Sequence, residues 1–195
     1  MSGIKREGAI FLDRDGTVNE EAGHLDSLTK LTLIPQAFAA IEKINKSGLN
    51  AVVITNQSGV ARGYFTEEFV SEVHLRIQEM LGKRGAHIDA FYYCPHHPTE
   101  GQGGYTKPCR CRKPGTGMLL QAAQDLNIDL RLSYMIGDSL KDIETALRAG
   151  AKGVLVRTGY GREAERELPS SEVCPEHIAD DILDAVYWIM QDRKR

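Results

Sequence analysis

No apolar run in the chain approaches the length of roughly 20 residues that spans a bilayer, so membrane embedding is not expected. Positive charge is not in excess either: 24 Lys and Arg stand against 27 Asp and Glu, for a net charge of −3. Without an overall basic field, any anion must be held by locally placed groups. Aromatic residues make up only 7% of the chain, and none interleaves with basic residues as a groove for stacking nucleic-acid bases would require. The opening residues Met1 to Glu7 lack the apolar stretch of a secretory signal. The expectation is a soluble, cytoplasmic monomer acting on a small molecule, with no nucleic-acid or membrane partner. No internal repeat or interdomain linker breaks the 195 residues, a length suited to a single α/β unit with its own buried sheet.

Apolar runs that end in small or acidic residues alternate with segments of helical period, the pattern of a parallel sheet with crossover helices. Strands are predicted at Gly8 to Asp13, Leu49 to Thr55, Ile88 to Cys94, Ser133 to Asp138 and Gly153 to Val156, giving a sheet of at least five strands. A crossover helix is predicted with Pro35 at its first position, with Phe38, Ile41 and Ile44 on one face and Gly48 just past its end. A second runs from Thr66, its cap, to about Lys83, with Phe69, Val73, Ile77 and Met80 as its apolar stripe. Further helices are expected from Pro114, from Leu140 to Ala149 and from Ile178 to Met190, with a mobile loop over Gly159 to Pro175.

The strand ends carry the chemistry. Asp13-Arg14-Asp15-Gly16-Thr17 places a carboxylate at the carboxyl end of the first strand, where open α/β sheets bind ligands. The pair can divide labour in phosphoryl transfer, Asp13 as nucleophile and Asp15 as proton donor and acceptor. Such a pair would repel a phosphate unless a divalent metal intervened. Alone, two aspartates and a glycine can be merely a strand-ending turn. Thr55-Asn56-Gln57-Ser58 offers a hydroxyl, amides and backbone donors suited to phosphoryl oxygens. Lys113, ahead of Pro114 at the expected start of a helix, offers an ammonium beside a helix N-terminus. Asp138, in Gly137-Asp138-Ser139, brings a third carboxylate to the same edge, and Asp142 stands close behind.

Only four cysteines are present, and three of them share one short segment, which in a reducing compartment argues for metal rather than disulfides. Cys94, Cys109 and Cys111, with His96 or His97, make a three-sulfur, one-nitrogen set that suits a structural zinc with no open position. Cys174 is left as a plain thiol.

The four strand-end pieces, DRDGT, TNQS, K-P and GDSLKD, resemble in this order the four motifs of the haloacid dehalogenase (HAD) superfamily, over roughly residues 8 to 157. That resemblance implies a Rossmann-like α/β fold and an aspartyl-phosphate mechanism with Asp13 as nucleophile and Asp15 as acid/base. It implies that Thr55 and Lys113 hold the phosphoryl group. Magnesium would be bound by the Asp13 side chain, the Asp15 backbone carbonyl and Asp138. The CxH and CxC loop, residues 94–112, together with TNQSGVARG, is similar to that of a group without a large cap domain, the heptose-bisphosphate and histidinol-phosphate phosphatases. The long spacing from His96 to Cys109 looks like the heptose members. The same resemblance puts the nitrogen ligand at His96 and makes Glu21, Ala22, Gly23 and His24 a flap over the substrate. It gives Arg112 a contact to the sugar or its distal phosphate. The implied reaction is hydrolysis of the 7-phosphate of a heptose 1,7-bisphosphate in the synthesis of nucleotide-heptose for lipopolysaccharide. Histidinol-phosphate phosphatase is the nearest alternative. A nucleic-acid 3'-phosphatase and a non-enzymatic zinc module are more distant ones.

Overall fold

The computed structural model of the chain describes residues 7–194; Met1 to Arg6, part of the opening stretch expected to carry no secretory signal, lie outside the described residues. A six-stranded, all-parallel sheet runs in the order β3-β2-β1-β4-β5-β6. The strands are β1 (Ala9–Leu12), β2 (Asn50–Asn56), β3 (Ala90–Cys94), β4 (Tyr134–Gly137), β5 (Lys152–Val156) and β6 (His177–Ala179). The helices are α1 (Ala37–Lys46), α2 (Glu67–Gly82), α3 (Gly117–Asp125), α4 (Leu140–Ala149), α5 (Gly161–Glu167) and α6 (Ile182–Asp192).

Because successive strand residues face opposite ways, β1 feeds two cores. Ile10 and Leu12 join α1, α2 and α6 on one face, while Ala9 and Phe11 join Met118 and Leu119 of α3 and Ala146 of α4 on the other. Both faces are covered, so the central strands are apolar without alternation, as parallel sheets require. β1 and β4 are neighbours, with β2 and β3 beyond one and β5 and β6 beyond the other. The strand order therefore reverses between β1 and β4, and the crevice at such a reversal is where doubly wound sheets bind ligands.

Local signals set most boundaries. Thr66 caps α2 by accepting from Phe69 N at 3.3 Å, and Gly48, at φ 77°, sits just past α1. Other expectations are corrected. Helix α2 buries Val70, Val73, His74, Ile77 and Leu81, one step round from the expected stripe, and leaves Phe69 and Met80 only partly covered. The helix expected from Pro114 starts at Gly117. Residues 159–175, expected as a mobile loop, contain α5, whose Ala164 packs with Ile143 and Leu155. Its Glu165 takes a two-pronged ion pair from Arg157 at 2.7 and 2.8 Å. The final helix begins four residues later than expected because residues 177–179 form β6 on the edge of β5. No helix among the described residues is long and apolar enough to cross a membrane.

Candidate active site

Asp13 follows β1 directly and Asp138 follows the adjacent β4, which puts both carboxylates at the reversal of the sheet. Asp13, Asp138 and Asp142 each have a carboxylate oxygen within 4.8 Å of the others'. Lys113 reaches into this group and is almost fully buried; its Nζ lies 2.8 Å from Asp13 Oδ1 and 2.6 Å from Asp142 Oδ1, and donates to Ile54 O at 3.0 Å. Asp142 also caps its own helix, accepting from Ser139 N and Oγ at 3.1 and 2.6 Å. Tyr160 N donates to Asp138 Oδ2 at 2.8 Å. Gly16, at φ 79°, packs against that carboxylate so closely that a methyl group there would collide with it.

Three carboxylates thus crowd together with one ammonium, which pairs directly with Asp13 and Asp142 only. Burial is the main force raising Asp13 to about 7, opposed by Lys113 and reinforced by Asp142. Asp138 is pushed to about 8 by burial and by Asp13 and Asp142. A buried cluster this short of positive charge, built of oxygen donors, fits a hard divalent cation such as magnesium.

Asp15 has a different setting. Its Oδ1 accepts from Arg14 Nε and Nη2 at 3.3 and 3.1 Å and from Asn19 Nδ2 at 2.9 Å. Its Oδ2 accepts from Arg14 Nη2 at 2.9 Å and Gln57 Nε2 at 2.8 Å. Burial would raise this carboxyl, but the Arg14 guanidinium and the amide donors outweigh burial and hold it below the ordinary carboxylate value.

Gln57 Nε2 also donates to Thr55 Oγ1 at 2.8 Å, so the hydroxyl accepts from protein and keeps its own proton for another acceptor. The Asn56 side chain is engaged with the Lys113 backbone, accepting from its N–H at 3.0 Å and donating to its carbonyl at 3.2 Å. This pairing across 57 positions ties Lys113 to β2, and because α3 begins only at Gly117 the lysine does not stand beside a helix N-terminus as expected. Asp13, Asp15, Thr55, Asn56, Gln57, Ser58, Arg112, Lys113 and Asp138 line one cavity of about 220 Å³ with Glu21, Gly23 and His24. Ala22 is exposed and is not among the lining residues. Sequence reasoning missed Lys141 and Tyr160 on the wall, and Tyr64, whose ring lies 4.7 Å from that of His24. It also missed Arg14 and Asn19 as the partners of Asp15.

Beside the cavity, Cys94, His96, Cys109 and Cys111 bring their ligand atoms together. The sulfurs lie 3.1 to 3.4 Å apart, and His96 Nδ1 lies 3.4 Å from Cys111 and 3.7 Å from Cys94. The edge of a tetrahedron around zinc with Zn–S near 2.3 Å is about 3.8 Å, so the four atoms fit such an ion with slight expansion. Burial pushes the Cys94 thiol up, so a thiolate there needs a cation beside it. His97 turns elsewhere, its Nδ1 accepting from Glu100 N at 2.9 Å. Arg112 ties the cluster to the cavity through a 3.1 Å bond from Nη1 to His96 O.

A HAD-hydrolase-like family model matches residues 110–185. A D-glycero-beta-D-manno-heptose-1,7-bisphosphate 7-phosphatase of Yersinia pestis is 45% identical over 167 residues, 85% of this chain and 88% of its own. A protein of the same name from Escherichia coli K12 is 39% identical over 188 residues, 95% of each chain. The crystal structure of a D,D-heptose 1,7-bisphosphate phosphatase from B. bronchiseptica, complexed with magnesium and phosphate, matches at TM-score 0.83 and 32% identity, covering 95% of this chain and 99% of that one.

Proposed function

The chain belongs to the family of D-glycero-D-manno-heptose-1,7-bisphosphate 7-phosphatases, HAD-like hydrolases, and from that membership we propose that it removes the 7-phosphate of this sugar bisphosphate through an aspartyl-phosphate on Asp13. The observation that carries the proposal is a convergence: Asp13, Asp138 and Lys113 meet at the reversal of the sheet, and the loop held by the Cys94 cluster delivers Arg112 to the same cavity.

Both bonds to Asp13 fall on Oδ1, from Lys113 Nζ and from Arg14 N at 2.7 Å, and among the described residues Oδ2 takes no hydrogen bond or ion pair. Oδ2 is the oxygen that attacks phosphorus. The bond to the sugar O7 breaks, its electron pair stays on O7, and Asp15 gives O7 a proton. Arrival of a phosphate adds negative charge beside Asp15, which favours its taking up the proton it needs. Water then attacks the phosphorus, returns a proton to Asp15, and frees phosphate and the Asp13 carboxylate. Thr55 Oγ1 donates to a phosphoryl oxygen in both steps, while Lys113, whose three ammonium protons face Asp13, Asp142 and Ile54 O, draws the phosphoryl group by its charge. Magnesium, held by Asp13, Asp138 and the Asp15 backbone carbonyl, offsets the charge of nucleophile and phosphate when bound.

Zinc on the four-residue cluster is structural, because its ligands leave no open position. The flap residues Glu21, Gly23 and His24, which line the cavity where Ala22 does not, and Arg112 at the end of the metal loop supply the selectivity that a large cap would otherwise give. The enzyme acts as a cytoplasmic monomer on a small molecule. A net charge of −3 and a cavity of about 220 Å³ support a sugar phosphate over a nucleic-acid strand. Phosphate release from heptose 1,7-bisphosphate and from histidinol phosphate, run side by side with magnesium, tests the reading. At least tenfold higher kcat/KM for the heptose is expected, about 1.4 kcal/mol in transition-state stabilisation. Equal turnover, or preference for histidinol phosphate, would overturn it.

A further inference from the structure

Arg14 lies between the two aspartates of the first motif, yet its side chain is one of the largest fully buried ones in the protein, 1% exposed. A buried guanidinium must have a reason, since desolvating an unpaired charge costs several kcal/mol or more. Its sole carboxylate partner among the described residues is Asp15, which it grips with Nε and Nη2, while Nη1 has no partner. Asn19, itself fully buried, gives a second donor to the same Oδ1, and Gln57 gives one to Oδ2 and another to Thr55 Oγ1. The carboxylate is therefore held on both oxygens from three directions. Nothing of the kind holds Asp13, whose bonds fall on one oxygen only.

We propose that Arg14 is the positioning residue for proton transfer by Asp15: the planar fork of its buried guanidinium fixes the plane of that carboxylate against the cavity, so that one oxygen meets the leaving oxygen of the substrate. The inference rests on Asp15 acting as the acid/base. A fork matters here because a bidentate contact fixes orientation as well as distance, whereas an ammonium offers a point charge. Gln57 extends the device. By donating to both Asp15 Oδ2 and Thr55 Oγ1, it sets the distance between the group that moves the proton and the hydroxyl that holds the phosphoryl oxygens. Misplacement of a reacting group by about 1 Å is enough to cost roughly 100-fold in rate.

The consequence is specific to the leaving group. An alkyl alkoxide departs badly unless it is protonated as the bond breaks, while a nitrophenolate departs without help. Because kcat/KM runs only through transfer of the phosphoryl group to Asp13, the later attack of water does not enter the comparison. Arg14→Lys keeps the charge and loses the fork. It is to be compared with Asp15→Asn on an alkyl phosphate and on 4-nitrophenyl phosphate, with magnesium saturating and zinc content and melting temperature checked for each protein. For Arg14→Lys, kcat/KM on the alkyl phosphate should fall about 100-fold or more, in the range of a lost general acid, and that on the nitrophenyl ester less than about tenfold. KM for the alkyl ester should hardly change.

Should Arg14→Lys fail to fold, Asn19→Ser removes the neighbouring donor to the same oxygen. It should show a smaller loss with the same leaving-group pattern. Equal losses on both esters, or full activity on the alkyl phosphate, in a folded Arg14→Lys protein would overturn the proposal. If Asp15→Asn itself showed no difference between the two esters, the acid/base reading of Asp15 would fall first. If Asp15→Asn showed the difference and Arg14→Lys did not, only the role of Arg14 would fall.

Discussion

Single residues at this site divide into those whose polar atoms are already engaged by the protein and those left for a ligand. Asn56 and Gln57 belong to the first kind, since each amide is bonded to Lys113 or to Thr55 and Asp15. Arg112 belongs to the second: it lines the cavity, holds one backbone carbonyl, and has no acidic partner among the described residues. Arg112→Ala should therefore lower kcat/KM for heptose bisphosphate by roughly 1.5 to 3 kcal/mol, the scale of a hydrogen bond to a charged group. A simple phosphomonoester should lose much less. Steady-state kinetics on both substrates checks this, and equal losses would remove Arg112 from substrate recognition. Residue by residue, the sequence showed which side chains reach the strand ends but not which of them brace one another. Arg14 was unreadable for this reason, because an arginine among aspartates looks like a solvated charge until its burial is known.

At the scale of elements, the 94–112 loop has little apolar content to pack, and a metal held by its cluster would order it. Other ties surround it, among them Gln102 N to Ala61 O at 2.8 Å, Arg62 to Glu100 at 2.7 Å, and Tyr105 OH to Glu67 Oε1 at 2.6 Å. Cys109→Ser should leave the zinc content well below one per chain, lower the melting temperature and raise KM, since the same segment carries Arg112 and Lys113. Mass-spectrometric metal content alongside a melting curve is the measurement; full zinc with unchanged melting would refute the cluster.

A second prediction concerns the contact of α2 with β3, where His74 stacks on Phe91 at 4.6 Å. Burial, with help from Arg14, lowers His74 from its ordinary 6.5 to about 3. Between those values the unfolded chain binds a proton that the folded chain refuses, so stability is lost as pH falls below 6.5. The loss amounts to about 2 kcal/mol at pH 5. His74→Leu should flatten this acid slope in denaturant titrations at pH 7 and 5, and an unchanged slope would place the proton uptake elsewhere. The central strands were legible because their apolar runs are long and end in polar residues. The three-residue β6 and the one-step rotation of α2 were not, since both depend on partners remote in sequence.

Over the whole molecule, the sheet order decides where chemistry can occur. Carboxylates following β1 and β4 meet because those strands are neighbours, and Lys113 joins them although it follows neither. The four motifs announced the convergence, while the pairing of Asn56 with the Lys113 backbone that secures it needed the fold. The most direct test follows phosphorus during turnover. Heptose 1,7-bisphosphate with enzyme and magnesium, observed by phosphorus NMR, should lose its 7-phosphate signal as inorganic phosphate grows, with the 1-phosphate signal intact. Asp13→Asn under the same conditions should leave both signals unchanged. Release of the 1-phosphate instead, or undiminished turnover by Asp13→Asn, would contradict the assignment of a 7-phosphatase working through Asp13.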